Sequence, residues 1–134
     1  MPFGFSHVSI VVPDLEAAAR ALAEKYGLVA GERRLNEQQG VRLAYIELGA
    51  AKIELMQPSR LDSPVAKFLD RNPRGGIHHF CLSVDDVATE SRGLAAKGIR
   101  MLGPETQRNV AGEPIAFIHP ADFFGALVEL EERR

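Results

Sequence analysis

Apolar and polar positions alternate at the start of the chain in the manner of a half-buried strand. Residues 7–12 carry mostly β-branched side chains, interrupted by His7 and Ser9, and Pro13 stops the run. Asp14 follows as a good N-cap, and apolar residues recur behind it at helical spacing until Gly27. The pattern therefore predicts a strand followed directly by a helix.

The same series of elements returns 72 residues later. Residues 79–84 predict a second strand, Asp85 or Asp86 a second N-cap, and the residues behind them a second helix. His79 occupies the place in its strand that His7 occupies in the first. Such self-similarity indicates one structural unit built twice.

The rest of each half predicts a β meander. Four strands are clear, at residues 42–48, 52–56, 115–119 and 126–130. Two more are weakly defined, near residues 33–36 and 101–107. Each half thus reads βαβββ, and we predict an α+β fold of two tandem modules within one domain of residues 1–134. The module limits are about 3–58 and 75–133.

The segment between the modules, residues 59–74, predicts a linker with an ordered part. Ser63 is a suitable N-cap and Pro64 suits a first helical turn, so a short helix is expected. The glycines Gly75 and Gly76, after Arg74, predict a flexible end of this linker.

Composition narrows the class of protein. The 134 residues, 46% of them hydrophobic, suit one compact domain, and the net charge of −2 argues against nucleic acid or an anionic membrane as partner. Cys81 is the single cysteine, so no internal disulfide can form. The sequence shows neither a membrane-spanning apolar run nor a signal peptide. We predict a cytoplasmic protein.

Strand parity places polar side chains of both halves on one face of the sheet. In each first strand the histidine, His7 or His79, points away from the apolar side chains that must lie under a helix. In each last strand Glu54 or Glu129 does the same. Two imidazoles and two carboxylates around a pseudo-two-fold axis suit a first-row divalent ion, which also offsets the cost of burying carboxylates. We predict that His7, Glu54, His79 and Glu129 bind a metal.

Three further residues with metal-binding chemistry have simpler interpretations. His78 lies on the helix side by parity, which favours packing or hydrogen bonding. His119 precedes Pro120 at a strand end and favours a turn or a supporting role, and Cys81 favours packing beneath the polar face.

Short stretches spread over nearly the whole chain carry a family resemblance. They read HVSIVVPDLE, EQQGV, KIELMQP, DSPVAKFL, GGIHHF, VDDV, FIHP and LVELE, beginning at residues 7, 37, 52, 62, 75, 84, 117 and 127. The chain resembles the vicinal oxygen chelate (glyoxalase/bleomycin resistance/dioxygenase) superfamily, and within it the methylmalonyl-CoA epimerases. The stretches DSPVAKFL and GGIHH are the most specific.

The resemblance implies a cupped, mostly antiparallel sheet around one divalent metal ion per chain, with the same four ligands. Two imidazoles with two carboxylates would accept cobalt, manganese, nickel, zinc or magnesium. The resemblance also implies a homodimer that interconverts the (R) and (S) forms of methylmalonyl-CoA, an acyl-CoA substrate, through an enolate stabilised by the cation. Proton exchange on both faces of a planar intermediate needs an acid and a base. We expect Glu129 and Glu54 in these roles, with Glu37 and Glu47 as spare candidates.

One loop departs from the family pattern. Residues 109–113 read NVAGE, where the epimerases commonly carry Gly-Ala-His-Gly-Lys. The acyl group and the residues that contact CoA therefore stay open.

Two other functions fit the same fold. A glyoxalase I type lactoylglutathione lyase shares the His, Glu, His, Glu ligand set, although the stretch that begins at Asp62 argues against it. A non-enzymatic drug-binding protein uses the same cup, usually without the metal ligands. An extradiol dioxygenase would want two His and one Glu with iron and usually has a longer chain.

Overall fold

A computed structural model describes residues 1–133, apart from the side chain of Thr106; Arg134, the last residue of the predicted domain, lies outside the described residues. The elements in chain order are β1 (Gly4–Val11), α1 (Leu15–Tyr26), β2 (Arg34–Asn36), β3 (Val41–Leu48), β4 (Ala51–Pro58), α2 (Pro64–Arg71), β5 (Gly76–Val84), α3 (Val87–Ala96), β6 (Met101–Arg108), β7 (Pro114–Ile118), a 3₁₀ helix (Pro120–Asp122) and β8 (Val128–Glu132). The α+β class and the doubled βαβββ order are confirmed.

The chain forms two compact units. The first unit is Val8–His78, and the second joins Met1–His7 to the chain from His79 onward. The dividing points fall inside β1 and inside β5. The module limits predicted from the repeat, 3–58 and 75–133, stay a prediction.

In the first unit the strands follow the order β2-β3-β4-β1. β3 is antiparallel to both β2 and β4, and its pairing with β4 runs the length of both strands. Apolar side chains of β3 and β4 and of Val12, just after β1, meet the start of α1 in a core of Val12, Leu15, Ala44, Ile46 and Leu55. This is the apolar face that strand parity predicted.

In the second unit the strands follow the order β1-β5-β8-β7-β6, where only the start of β1 belongs to this unit. β5 pairs with β8 in parallel, whereas β7 is antiparallel to both β8 and β6. The core beneath α3 consists of Val84, Val87, Ile118, Val128 and Leu130. The side chains that alternate with this core on β5 and β8 form the opposite, polar face.

Helix ends follow the predicted capping chemistry. Asp14 Oδ1 accepts a hydrogen bond from the Ala17 N–H at 3.0 Å, and Gly27 ends α1 in the left-handed conformation. Asp86, rather than Asp85, caps α3, since its Oδ1 accepts from the Thr89 N–H at 2.8 Å. Ser63 caps α2, as predicted. Within residues 1–133 no helix is long and apolar enough to cross a membrane.

The predicted flexible end of the linker is wrong. Gly76 is already the first residue of β5. Gly75 has φ +92°, and a Cβ at this position would collide with the carbonyl oxygen of Val11. The glycine here allows a close backbone approach instead of providing mobility.

Candidate metal centre

Three of the four predicted ligands converge in the second unit. His79 Nε2 lies 2.7 Å from Glu129 Oε2, and His7 Nε2 lies 3.7 Å from the same oxygen. Ligand atoms of the three residues all lie within 4.8 Å of one another, and the three side chains are buried. The two imidazole rings are edge-to-face, with their centroids 5.8 Å apart.

The pairing of β5 with β8 sets this geometry. Cys81 stands opposite Glu129 in the parallel register. His79 precedes Cys81 by two residues and therefore projects from the same face of β5. On β8, Glu129 lies between Val128 and Leu130, whose side chains point to the opposite face and pack into the core. The apolar neighbours anchor the strand, so the carboxylate has to face the histidines.

The electrostatics of Glu129 favour its ionised form. Burial acts to raise its pKa, but the interactions of the carboxylate with the neighbouring His7 and His79 rings outweigh that effect. The pKa of Glu129 falls from 4.5 to about 2. The carboxylate is therefore ionised at neutral pH and available as an anionic ligand.

The donor set of this cluster fits a divalent metal ion. Two imidazole nitrogens and a carboxylate oxygen suit a first-row divalent cation. The three ligand atoms are already gathered on a buried face, where a cation compensates the carboxylate charge. His7, His79 and Glu129 can thus hold a divalent ion, and this donor set by itself does not select one metal.

Glu54 belongs to the first unit. It is buried, stands opposite Tyr45 across the β3–β4 pair, and accepts a hydrogen bond from the Ser9 hydroxyl. Its neighbours Ile53 and Leu55 pack with the α1 core, so the predicted orientation of Glu54 away from that core is confirmed. Its role as a ligand stays a prediction.

The residues to which the sequence assigned lesser roles have structural partners. The His78 ring packs edge-to-face on Phe68 at 5.3 Å, as its parity predicted. His119 caps the 3₁₀ helix, since its Nδ1 accepts a hydrogen bond from the Ala121 N–H. Glu37 and Glu47, the spare proton carriers, are exposed. Each of these contacts is local and needs no metal.

Sequence reasoning missed two residues beside this cluster. Ser6 and Glu131 are buried, and both lie near the Nδ1 side of the His7 ring. Parity contained the signal for Glu131, because it follows Glu129 by two residues on β8. Glu131 lies among charged residues near the end of the given sequence, and such a run is typical of a solvent-exposed segment. No comparable signal marked Ser6.

Comparisons with known proteins agree with the fold and the cluster. Residues 6–117 match the Glyoxalase/Bleomycin resistance protein/Dioxygenase superfamily. The chain belongs to this superfamily.

Particular relatives are epimerases. The chain is 44% identical over 128 residues to the ethylmalonyl-CoA/methylmalonyl-CoA epimerase of Cereibacter sphaeroides, covering 95% of this chain and 96% of that one. The crystal structure of methylmalonyl-CoA epimerase from Mycobacterium tuberculosis superposes with a TM-score of 0.90 at 35% identity, covering 99% and 89% of the two chains.

A third similar protein was solved with ligands. It is a methylmalonyl-CoA epimerase in complex with methylmalonyl-CoA and NH4+, with a TM-score of 0.90 at 33% identity, covering 98% of this chain and 95% of that one. These similarities confirm the glyoxalase-like fold class and the predicted resemblance.

Proposed function

We propose that this protein is a metal-dependent methylmalonyl-CoA epimerase, which interconverts the (R) and (S) forms of its substrate. The observation that carries the proposal is the buried cluster of His7, His79 and Glu129 in a chain 44% identical to a named epimerase. The cluster supplies the chemistry and the similarity supplies the substrate class. Neither the glyoxalase I nor the drug-binding alternative is favoured by a specific contact in the described part of the chain.

The metal would be held by His7, His79 and Glu129, with Glu54 as the fourth ligand. The convergence of the first three supports their assignment. For Glu54 the support is its correspondence with Glu129 in the repeat and its burial on a polar face. When bound, a divalent cation polarises the substrate oxygens and stabilises negative charge that develops there. Its identity among cobalt, manganese, nickel, zinc and magnesium stays open.

The reaction requires removal of the C2 proton and its return on the other face. This C–H bond lies between a thioester carbonyl and a carboxylate, so its deprotonated form is a planar enolate. Glu129 is ionised at neutral pH and can accept a proton. We assign Glu129 and Glu54 as the acid and base pair, one for each face of the enolate.

The substrate is an acyl-CoA with a carboxylate on the carbon beside the thioester. Methylmalonyl-CoA is the principal substrate in this proposal, and the name of the Cereibacter sphaeroides relative makes ethylmalonyl-CoA the natural second one. One methylene changes discrimination by only about 1–3 kcal/mol, so both are expected to react. A homodimer and a cytoplasmic location complete the proposal on the family resemblance and the sequence composition.

Proton NMR in deuterated water tests this function directly. (R)-methylmalonyl-CoA is incubated with the metal-loaded protein, with chelator-treated protein, and with chelated protein to which Co²⁺ is restored. We expect the C2 proton signal to disappear in the first and third samples and to persist in the second. A coupled assay that consumes only the (S) form reports stereochemical conversion.

The same preparation distinguishes the alternatives. Formation of lactoylglutathione from methylglyoxal and glutathione, without C2 exchange in methylmalonyl-CoA, would establish the lyase instead. Absence of both reactions in a metal-loaded, folded sample would leave a binding protein. Equal exchange with and without metal would retain the epimerase and remove its metal dependence.

A further inference from the structure

The His7 ring makes different contacts through its two nitrogens. Its Nε2 lies 3.7 Å from Glu129 Oε2, in the candidate metal centre. Its Nδ1 lies 3.0 Å from the Ser6 hydroxyl oxygen and 3.9 Å from Glu131 Oε2. The Ser6 hydroxyl in turn donates to Glu131 Oε1 at 3.5 Å. A buried hydroxyl and a buried carboxylate therefore stand on the side of His7 that faces away from Glu129.

These contacts define a direction for the hydrogen bonds. Ser6 has one O–H donor and donates it to Glu131, so its oxygen is available as an acceptor for His7. The matching form of His7 carries its proton on Nδ1 and donates it to Ser6. In that tautomer Nε2 has the lone pair, which is the form that a metal ligand requires. A carboxylate behind a ligating histidine commonly has this effect.

We propose that Ser6 and Glu131 are positioning residues that hold His7 as the Nδ1–H tautomer and aim its Nε2 lone pair at the metal. This inference rests on the proposed metal function of His7. Neither residue needs to touch substrate or metal. Both residues are buried, so bulk water does not compete with the hydrogen bonds from His7 to Ser6 and from Ser6 to Glu131. A buried carboxylate without such contacts would also be costly, which favours their formation.

A competing interpretation makes the same residues a second metal site. Ligand atoms of His7, Cys81 and Glu131 also lie within 4.8 Å of one another, and Cys81 Sγ is 3.9 Å from Glu131 Oε2. The position of Ser6 favours the positioning role, because its oxygen is the nearer contact of Nδ1. An Nδ1 that donates a proton cannot bind an ion at the same time. The experiment therefore includes a readout for binding of Co²⁺ by the Cys81 thiolate.

The test compares Ser6→Ala, Glu131→Gln and Glu131→Leu with Ser83→Ala as the matched control. Ser83 is a buried serine of the same unit, on β5. The first readout is the ¹⁵N NMR spectrum of the histidine ring in the chelator-treated full chain, which reports the tautomer of His7. The second is the Kd for Co²⁺ from competition with a chromophoric chelator. The third is the absorption spectrum of the Co²⁺ protein.

We expect wild type and Ser83→Ala to show Nδ1–H at His7 and equal Co²⁺ affinity. Glu131→Leu and Ser6→Ala should mix the two tautomers and weaken Co²⁺ binding about 10–100-fold. Glu131→Gln keeps a side-chain oxygen that accepts, so it should retain most of both properties. This partial rescue distinguishes loss of the acceptor from loss of folding, even where Glu131→Leu does not fold.

Three results would overturn the proposal. They are an Nε2–H tautomer in the wild-type chain, unchanged tautomer and affinity in folded Ser6→Ala and Glu131→Leu, or a thiolate charge-transfer band that Cys81→Ala removes. If wild type shows Nδ1–H and responds to the variants but binds no Co²⁺, the metal function fails while the positioning of His7 stands. The two proposals can therefore fail separately.

Discussion

The Nε2 atom of His79 lies 2.7 Å from Oε2 of Glu129, between two strands that run in parallel. The strands are β5 and β8, and the residue directly opposite Glu129 is Cys81. The contact is therefore diagonal, between side chains two positions out of register on one face. It places an imidazole and a carboxylate together on the polar face of the second unit.

Replacing Glu129 by Gln should nearly abolish proton exchange. The amide cannot accept the C2 proton, and it also weakens the metal centre. A positioned acid or base typically contributes roughly 10²–10⁴-fold, so we expect at least about a 10²-fold fall in the rate of C2 exchange. Proton NMR of methylmalonyl-CoA in deuterated water measures it. Glu24→Gln, at an exposed position of α1, is the control and should exchange at the wild-type rate. A wild-type rate in Glu129→Gln would exclude the residue from proton transfer.

Removal of the His79 ring should deplete the protein of metal. Mutation of a residue that only hydrogen-bonds a metal ligand typically weakens metal binding roughly 10–100-fold. Because His79→Ala removes a ligand itself, we expect a larger loss of Co²⁺ affinity. Metal content after dialysis, measured by atomic emission, checks this. His119→Asn is the matched control, because asparagine can still cap the 3₁₀ helix that His119 caps through Nδ1. Full metal content in His79→Ala would contradict the assignment.

An alanine at position 75 should destabilise the protein more than an alanine at position 98. Gly75 and Gly98 both have positive φ, +92° and +85°, but a Cβ at Gly98 meets open space whereas one at Gly75 meets the Val11 carbonyl. Gly98→Ala should cost about 1–2 kcal/mol from the left-handed backbone alone. Gly75→Ala should cost about 1–3 kcal/mol more from overpacking. Urea unfolding of both variants measures the difference, and equal losses would mean that the Val11 contact is unimportant.

Acid should release the contact between Arg100 and Asp122. Hydrogen bonds from the Arg100 side chain and from its backbone N–H lower the pKa of Asp122 from 3.8 to about 2. The unfolded chain then binds more protons between these values, so this contribution to stability is nearly complete above about pH 5 and is lost as the pH falls through 3.8 towards about 2. Urea unfolding at a series of pH values should show a shallower acid slope for Asp122→Asn than for wild type.

Arg100→Met distinguishes the effect of the guanidinium on the pKa of Asp122 from that of the backbone N–H. The variant keeps the backbone N–H of residue 100 and loses the guanidinium, so its acid slope should lie between wild type and Asp122→Asn. An acid slope identical to wild type in both variants would show that Asp122 titrates alike in the folded and unfolded chains.

Local pattern determined much of this protein before any coordinates. The repeat predicted βαβββ twice, Asp14 and Ser63 were correct as helix caps, and parity placed Glu54 and Glu129 away from the cores. These features depend on interactions between residues close in sequence, or on the two-residue period of a strand. Residue type and spacing along the chain are therefore sufficient to predict these features.

Strand pairing and close backbone approach were decided only by the tertiary structure. The parallel register of β5 with β8 brings Glu131 and Cys81 together, although they lie far apart in the chain. The same holds for Gly75, whose neighbour Val11 belongs to a distant segment, so a glycine that looked flexible is a tight contact. Such relations depend on which distant segments pair, and no local spacing records that choice. The sequence by itself therefore selected His7, Glu54, His79 and Glu129 as candidate ligands, while the fold decided that Ser6 and Glu131 stand behind His7.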